Sequence, residues 1–221
     1  MRKIVGTIFQ SLDGVMQAPG GPSEDPTDGF TLGGWQMGYS DKVAEAAIAE
    51  MLKPPFALLL GRRTYDIFAS YWPFVTGEEA GIGESFTQAK KYVLTHGDAP
   101  LEWENSHRLS GIADLRKVKE SDGPDLRIWG SGTLYPALIE AGLLDRLTLV
   151  TYPLVLGSGK RTFREGTPAT ALKLGEREIG PSGALITTFE PAGRIKVGAV
   201  NAAPPNDREE SRQKAIAEGA W

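Results

Sequence analysis

Two stretches of this chain combine glycine with anion-binding chemistry. The first is Gly61-Arg62-Arg63-Thr64, which follows the apolar run 56–60 and precedes Tyr65, Phe68 and Ala69 at helical spacing. The second is Gly130-Ser131-Gly132-Thr133, set between the strand-like segment 126–129 and a helical stripe of Leu134, Ala137, Leu138 and Ala141. Each reads as strand, glycine turn and helix. Such a turn bares several backbone N–H groups, and the positive end of the helix dipole adds to them, so both junctions suit a phosphate. Arg62 and Arg63 bring guanidinium forks that match phosphate oxygens. A ligand-free turn fits Gly130–Gly132 equally, and solvated arginines fit Arg62 and Arg63.

Two carboxylates stand near strand and helix ends. Asp13 lies in Ser11-Leu12-Asp13-Gly14, just past the first strand pattern, 4–9. Open α/β sheets place ligands at the carboxyl ends of their strands, although this tetrapeptide also reads as a plain turn. Asp41 opens a helical stripe of Val43, Ala46, Ala47 and Met51, with Ser40 read as the cap and Asp41 as a first-turn acid. Between them runs a loop, 17–38, rich in Gly, Pro, Asp and Thr. Loops of that length are lids or disordered. This one carries Phe30, Leu32, Trp35 and Met37, so its second half is expected to pack over something. Trp35, Tyr65 and Phe68 read either as walls of a substrate pocket or as core.

Composition removes several alternatives. Net charge is −4, from 24 Lys+Arg against 28 Asp+Glu, with no basic surplus to attract nucleic acid or an anionic membrane. The absence of cysteine excludes disulfides, thiol nucleophiles and cysteine metal sites, and suits a reducing cytoplasm. His96 and His107 are the only histidines, too few for a His-rich metal site. No apolar run reaches bilayer length, and the N-terminal segment reads as a first strand rather than a leader.

The remaining elements must position these residues. Strand patterns appear at 91–95, at 147–156 with Pro153 marking an edge or bulge, at 172–174 with 176–179, at 184–189, and weakly at 195–200. A helix is expected over 112–118. Residues 72–84 read as loop, Asn105–His107 as polar loop or cap, and Pro181-Ser182-Gly183 as a hairpin turn. About eight strands and four helices predict one α/β domain over 1–200. Its sheet is mostly parallel, with an antiparallel C-terminal hairpin and helices on both faces. The polar tail, 201–221, reads as a mobile arm or marginal helix.

Common nucleotide fingerprints are missing. Tyr135 stands where a Rossmann motif needs its third glycine, and no Walker sequence is present. Two anion-ready junctions nevertheless suit one ligand with phosphates at both ends, and the arginines favour the 2′-phosphate of NADPH over NADH.

In this order the motifs resemble the dihydrofolate reductases. They are Gly61-Arg62-Arg63-Thr64, Tyr92-Val93-Leu94-Thr95-His96, Gly130-Ser131-Gly132-Thr133-Leu134-Tyr135 and Leu147-Thr148-Leu149-Val150-Thr151-Tyr152. Ser11-Leu12-Asp13-Gly14 and the run 152–159 resemble a sister branch, the C-terminal reductase domain of bacterial riboflavin biosynthesis. The resemblance spans residues 2–190. It implies the dihydrofolate reductase-like three-layer fold, NADPH as cofactor and, by the riboflavin branch, a homodimer. It also implies roles. Gly61, Arg62, Arg63 and Thr64 would hold cofactor phosphates, with Leu94, Thr95 and His96 beside the adenosine 2′-phosphate. Residues Gly130 to Leu134 would cradle the pyrophosphate, and Tyr135 would approach the nicotinamide. The 17–38 loop would close over the site. Asp41 would be the active-site acid hydrogen-bonded by Thr151, with Asp13 as its rival. No counterpart of the arginine that grips the folate tail follows Phe68. The expected function is an NADPH-dependent reductase of a small pterin- or pyrimidine-like substrate, with a non-catalytic nucleotide- or flavin-binding module as the alternative.

Overall fold

In the computed structural model, residues 1–198, 204 and 206–220 are described. The chain runs β1 (Ile4–Ser11), α1 (Lys42–Met51), β2 (Ala57–Gly61), α2 (Arg62–Tyr71), α3 (Ala80–Gln88), β3 (Lys91–Leu94), β4 (Ser106–Leu109) and α4 (Ile112–Glu120). It continues with β5 (Leu126–Trp129), α5 (Leu134–Glu140), β6 (Arg146–Tyr152), β7 (Leu172–Ile179), β8 (Leu185–Pro191) and α6 (Asp207–Ala217). One eight-stranded sheet has the order β4-β3-β2-β5-β1-β6-β8-β7. The first six strands are mutually parallel, and β8 runs against both β6 and β7.

The apolar runs explain the layering. Every residue of β2 is buried, as expected of a parallel strand covered on both faces. Ile4 and Ile8 of β1 pack with Leu115 of α4 and Leu134, Tyr135 and Leu138 of α5. On the opposite face, Phe9 packs with residues of α1, α2 and α3. α5 seats directly on the central strand because β1 has no side chain at Gly6. A Cβ there would lie 2.5 Å from the Tyr135 hydroxyl oxygen.

Several elements differ from the sequence reading. The stretch at Asn105–His107 contains the start of β4, an edge strand whose middle residues His107 and Arg108 are exposed and so lack the apolar signature. α3 was hidden by Gly81 and Gly83. Gly83 is required because a Cβ there would lie 2.4 Å from the Trp72 carbonyl oxygen. α3 ends on the buried Lys91, whose Nζ donates to the carbonyls of Phe86, Thr87 and Ala89 at 2.7, 2.7 and 2.8 Å. β6 is an interior strand that stops at Tyr152, so Pro153 terminates it and marks neither an edge nor a bulge. Residues 195–198 form no strand, and the rest of that weak pattern lies outside the described residues. The tail forms α6, capped by Asn206.

Two carboxylates tie the loops down. Asp41, not Ser40, caps α1: its Oδ1 accepts from the Val43 and Ala44 amides, both at 2.9 Å. Its Oδ2 accepts from the amide and hydroxyl of Ser182, at 2.9 and 2.5 Å, which joins α1 to the β7–β8 turn. Asp13 accepts from the Ser11 hydroxyl at 2.6 Å and from the Leu156 and Gly157 amides at 3.0 Å, which joins the end of β1 to the segment after β6. Led by the Ser182 hydroxyl, these donors hold Asp41 down to about 2. Led by the Ser11 hydroxyl, and opposed by partial burial, they hold Asp13 at about 2 as well.

Two outcomes follow from these contacts. Gly6→Ala forces Tyr135 and α5 off the sheet and lowers unfolding free energy by about 1–3 kcal/mol, read from the denaturant midpoint. Both carboxyls titrate below their unfolded value of 3.8, so their stabilisation is complete above that pH and is lost as pH falls toward 2. Stability measured over that window falls in the wild type and falls less steeply in Asp13→Asn/Asp41→Asn.

Candidate active site

The parallel strands deliver their carboxyl ends to one edge of the sheet, and both glycine junctions lie there. The Gly61 amide donates to the Ser131 hydroxyl at 3.0 Å, so the junctions after β2 and β5 are bonded to each other. Gly130 and Ser131 hold φ of 69° and 51°, in the left-handed region. That conformation suits Gly130 and is tolerated at Ser131, whose hydroxyl is fixed by Gly61. Gly132 faces Met16: a Cβ would lie 2.7 Å from the Met16 sulfur, so any side chain there would have to displace the end of Met16. Thr133 is exposed beside this turn, and its Oγ1 would lie 3.5 Å from a Cβ on Gly61.

Basic groups gather beyond β2, β3 and β4. Arg62 grips both Asp66 oxygens through Nε, at 2.9 and 3.0 Å, and its Nη1 donates to the carbonyls of Ala99 and Pro100. Arg108 of β4 reaches the same Ala99 carbonyl at 2.5 Å and also bonds Gly97. Two guanidiniums therefore converge on one oxygen. Arg63 is exposed and has no hydrogen-bond or ion-pair partner among the described residues. Thr95 accepts from the Gly97 amide through Oγ1 and starts the loop that carries the exposed His96. Leu94 ends β3 beside Gly61, its register partner. Thr64, half-buried, is in the first turn of α2. Arg108 was not found by sequence reasoning. Its only signal was a cation alternating with buried Leu109 in a short polar stretch.

Other assigned residues do not meet at this edge. Tyr135 is 0% exposed, packed against Gly6, and its hydroxyl has no hydrogen-bond partner; burial raises its pKa. It faces the core rather than the glycine turn. Tyr65 is buried and accepts the Trp103 amide at 2.9 Å, while Phe68 stacks on Phe86. Both are core residues of the α2–α3 layer, not pocket walls. Thr151 accepts from Gln10 Nε2 at 3.1 Å, whereas the four donors to Asp41 come from Val43, Ala44 and Ser182. The hydrogen bond between Asp41 and Thr151 that the resemblance implied is thus not formed in this structure.

The 17–38 loop folds down along its length. Lys160 Nζ bonds Asp25 Oδ2 at 2.7 Å, and the Lys160 amide donates to Gln17 Oε1 at 2.9 Å. Trp35 donates to the Gln17 carbonyl at 2.8 Å and sets its ring edge-on to Tyr152. Phe30 and Trp35 are buried as expected, but Leu32 and Met37 are exposed. Deeper in the edge, Phe9 stacks on Trp129 with centroids 5.9 Å apart, and the buried Trp129 Nε1 has no acceptor. No group of three or more His, Asp or Glu is arranged for a metal among the described residues. Nor is any helix there long and apolar enough to cross a membrane.

The edge therefore offers bared amides, an uncommitted arginine and two committed ones, with an aromatic floor and an unused indole donor. Comparison with known proteins bears on the family and the fold. The model of the RibD C-terminal domain matches residues 2–186. The uncharacterized protein YyaP of Bacillus subtilis strain 168 is 24% identical over 191 residues, 83% of this chain and 92% of that protein. A solved structure from Shewanella sp. PV-4, whose name ties it to riboflavin biosynthesis, shares the fold. Its TM-score is 0.59 at 17% identity, over 86% of this chain and 98% of its own. A pyrimidine reductase-like protein of Corynebacterium diphtheriae superposes with a TM-score of 0.56 at 15% identity, over 86% and 92%. With the sheet order and the family match in agreement, this chain belongs to the RibD C-terminal domain family.

Proposed function

We propose that the chain is an NADPH-dependent reductase that acts on a small pterin- or pyrimidine-like ring. The observation that carries this reading is the bonded pair of junctions, Gly61 to Ser131, flanked by the arginines at Ala99. A dinucleotide needs two phosphate-binding ends at a fixed separation, and this bond fixes it. The residues present fit the cofactor on one further ground. Gly130, in the left-handed region at φ 69°, and Gly132 carry no side chain, so the backbone amides of the turn stay open to close approach.

The roles follow from the geometry. Gly130–Thr133 would hold the pyrophosphate, and Arg63, Arg108 and Arg62 would hold the 2′-phosphate with Thr95 and His96 beside it. Bound NADPH supplies the hydride, which the protein itself does not carry. The chain's own residues orient and exclude water. Phe9 and Trp129 give the ring an apolar floor, and the unpaired Trp129 Nε1 supplies a donor for a ring carbonyl or nitrogen. Asp13 and Asp41 are ionised at neutral pH, with their oxygens already engaged. They act as positioning residues that fix the loops around the site. That saturation is also what favours the second reading, a nucleotide-binding module without turnover.

Calorimetry with NADPH and NADH tests the cofactor assignment. Arg63→Ala and Arg108→Ala are each expected to weaken NADPH by about tenfold or more and to leave NADH nearly unchanged, the pattern of a lost charge-assisted phosphate contact. Absence of NADPH binding to the wild-type chain overturns the proposal. Binding without oxidation across dihydrofolate, pteridine and pyrimidinone substrates selects the non-catalytic module. Where turnover occurs, Trp129→Phe raises KM more than it lowers kcat, as expected for a lost substrate contact.

A further inference from the structure

On the face of the sheet that carries α1, the amino-terminal halves of β1, β5 and β6 and the carboxyl-terminal half of the antiparallel β8 are only partly covered. A groove of about 650 Å³ opens there between α1 and β7, within the size range of small-molecule sites. It lies toward the opposite ends of the strands from the glycine junctions, and the reductase reading makes no use of it.

Register builds its floor. Thr7 of β1 is paired with Thr148 of β6, and Thr148 with Thr188 of β8, so three hydroxyls form a row across three strands. None is more than 8% exposed. Thr148 and Thr188 share one hydrogen bond of 3.1 Å. Thr7 donates to the Met51 sulfur at 3.6 Å, a weak acceptor. The row therefore retains unused acceptor sites and one poorly used donor.

One pleat nearer the amino ends, Val5 of β1 is paired with Arg127 of β5 on one side and Arg146 of β6 on the other. Directly paired residues point to the same face, and two strand spacings set the two arginine Cα atoms about 10 Å apart. Arg127 lies over the Phe56 ring at 5.1 Å, and its Nη1 is buried with no acceptor. Arg146 has Glu190 at 3.7 Å, beyond hydrogen-bond length. A buried guanidinium N–H without an acceptor is costly, and an incoming oxygen would remove that cost. The rim carries Glu50, Asp125, Glu176 and Glu178, with Arg177 of β7 among them. The acidic excess there repels polyanions and favours an anion placed between Arg127 and Arg146.

We propose that this groove is a second small-molecule site, for a compact hydroxylated ligand bearing a single phosphate or carboxylate. The oxyanion sits over Val5 between Arg127 and Arg146, and the hydroxyls lie along Thr7, Thr148 and Thr188.

The test uses the full chain and four probes: sn-glycerol 3-phosphate, D-glycerate, inorganic phosphate and glycerol, titrated by calorimetry with methyl resonances of Val5 and Thr148 followed in parallel. The expected result is that one or both hydroxylated anions bind and shift those methyls, inorganic phosphate binds more weakly, and glycerol does not bind. The stronger of the first two identifies the anion. Arg127→Met and Arg146→Met are each expected to weaken binding about tenfold or more. Arg146 is half-exposed, so its variant keeps the test decisive if Arg127→Met does not fold. Thr148→Val weakens the hydroxylated anions but not inorganic phosphate. NADPH affinity stays unchanged in all three variants, which separates this site from the reductase reading. The proposal is overturned if neither hydroxylated anion binds, or if binding survives both arginine substitutions. It is also overturned if the Val5 and Thr148 methyls respond to protein concentration instead, the mark of a second copy filling the groove.

Discussion

The arrangement of the candidate site depends on one close approach, that of the Tyr135 ring to Gly6. β1 is the central strand, with β5 on one side and β6 on the other. α5 follows β5 through the Gly130–Thr133 turn and must cross β1 to bury Leu134 and Leu138. It can descend onto that strand only because position 6 has no side chain. The depth of α5 sets where its turn emerges, and the turn sets where Ser131 meets the Gly61 amide. A phenol with an orphaned hydroxyl is a poor core residue by itself, since the buried group loses its water without replacement. Its ring area and its fit over Gly6 outweigh that loss.

Around this centre the loops are held by carboxylates as well as by packing. Asp41 joins α1 to the β7–β8 turn, Asp13 joins the end of β1 to the segment after β6, and Asp25 with Lys160 fastens the 17–38 loop. Each spans elements more than 130 positions apart in the chain, so each closes a large loop. The cost is chemical. A carboxylate with its lone pairs filled and its pKa held near 2 is a reliable strut and a poor proton donor.

The sequence was most legible where one constraint acted alone. β2 and β5 are short apolar runs ended by glycine, and no other element type fits them. The paired glycine junctions were legible for the same reason. β4 was not, because an exposed edge strand needs no apolar alternation, and Arg108 was lost with it. α3 was obscured by Gly83, whose glycine reports a close contact with the Trp72 carbonyl rather than a loop. Asp41 was legible at the right helix end but not its tie to Ser182, which lies 141 residues away. Tyr65 and Phe68 show the limit from the other side: helical spacing places them on one face of α2, but only the aromatic layer with Trp103 and Phe86 decides that this face is core.

The groove under α1 gives the sheet two polar margins with opposite logic. At the carboxyl ends, the polar groups are backbone freed by glycine and arginines from turns and an edge strand. At the amino ends they are set by register, with threonines and arginines standing on adjacent strands at fixed spacing. A backbone cradle tolerates many side-chain changes as long as its glycines remain. A register-built floor is sensitive to each position but immune to loop movement, because a strand in the middle of a sheet cannot slip without turning its buried face outward. Val5 and Thr7 belong to the same strand whose Gly6 admits Tyr135 on the other face. Both margins are thus anchored on three consecutive residues of β1.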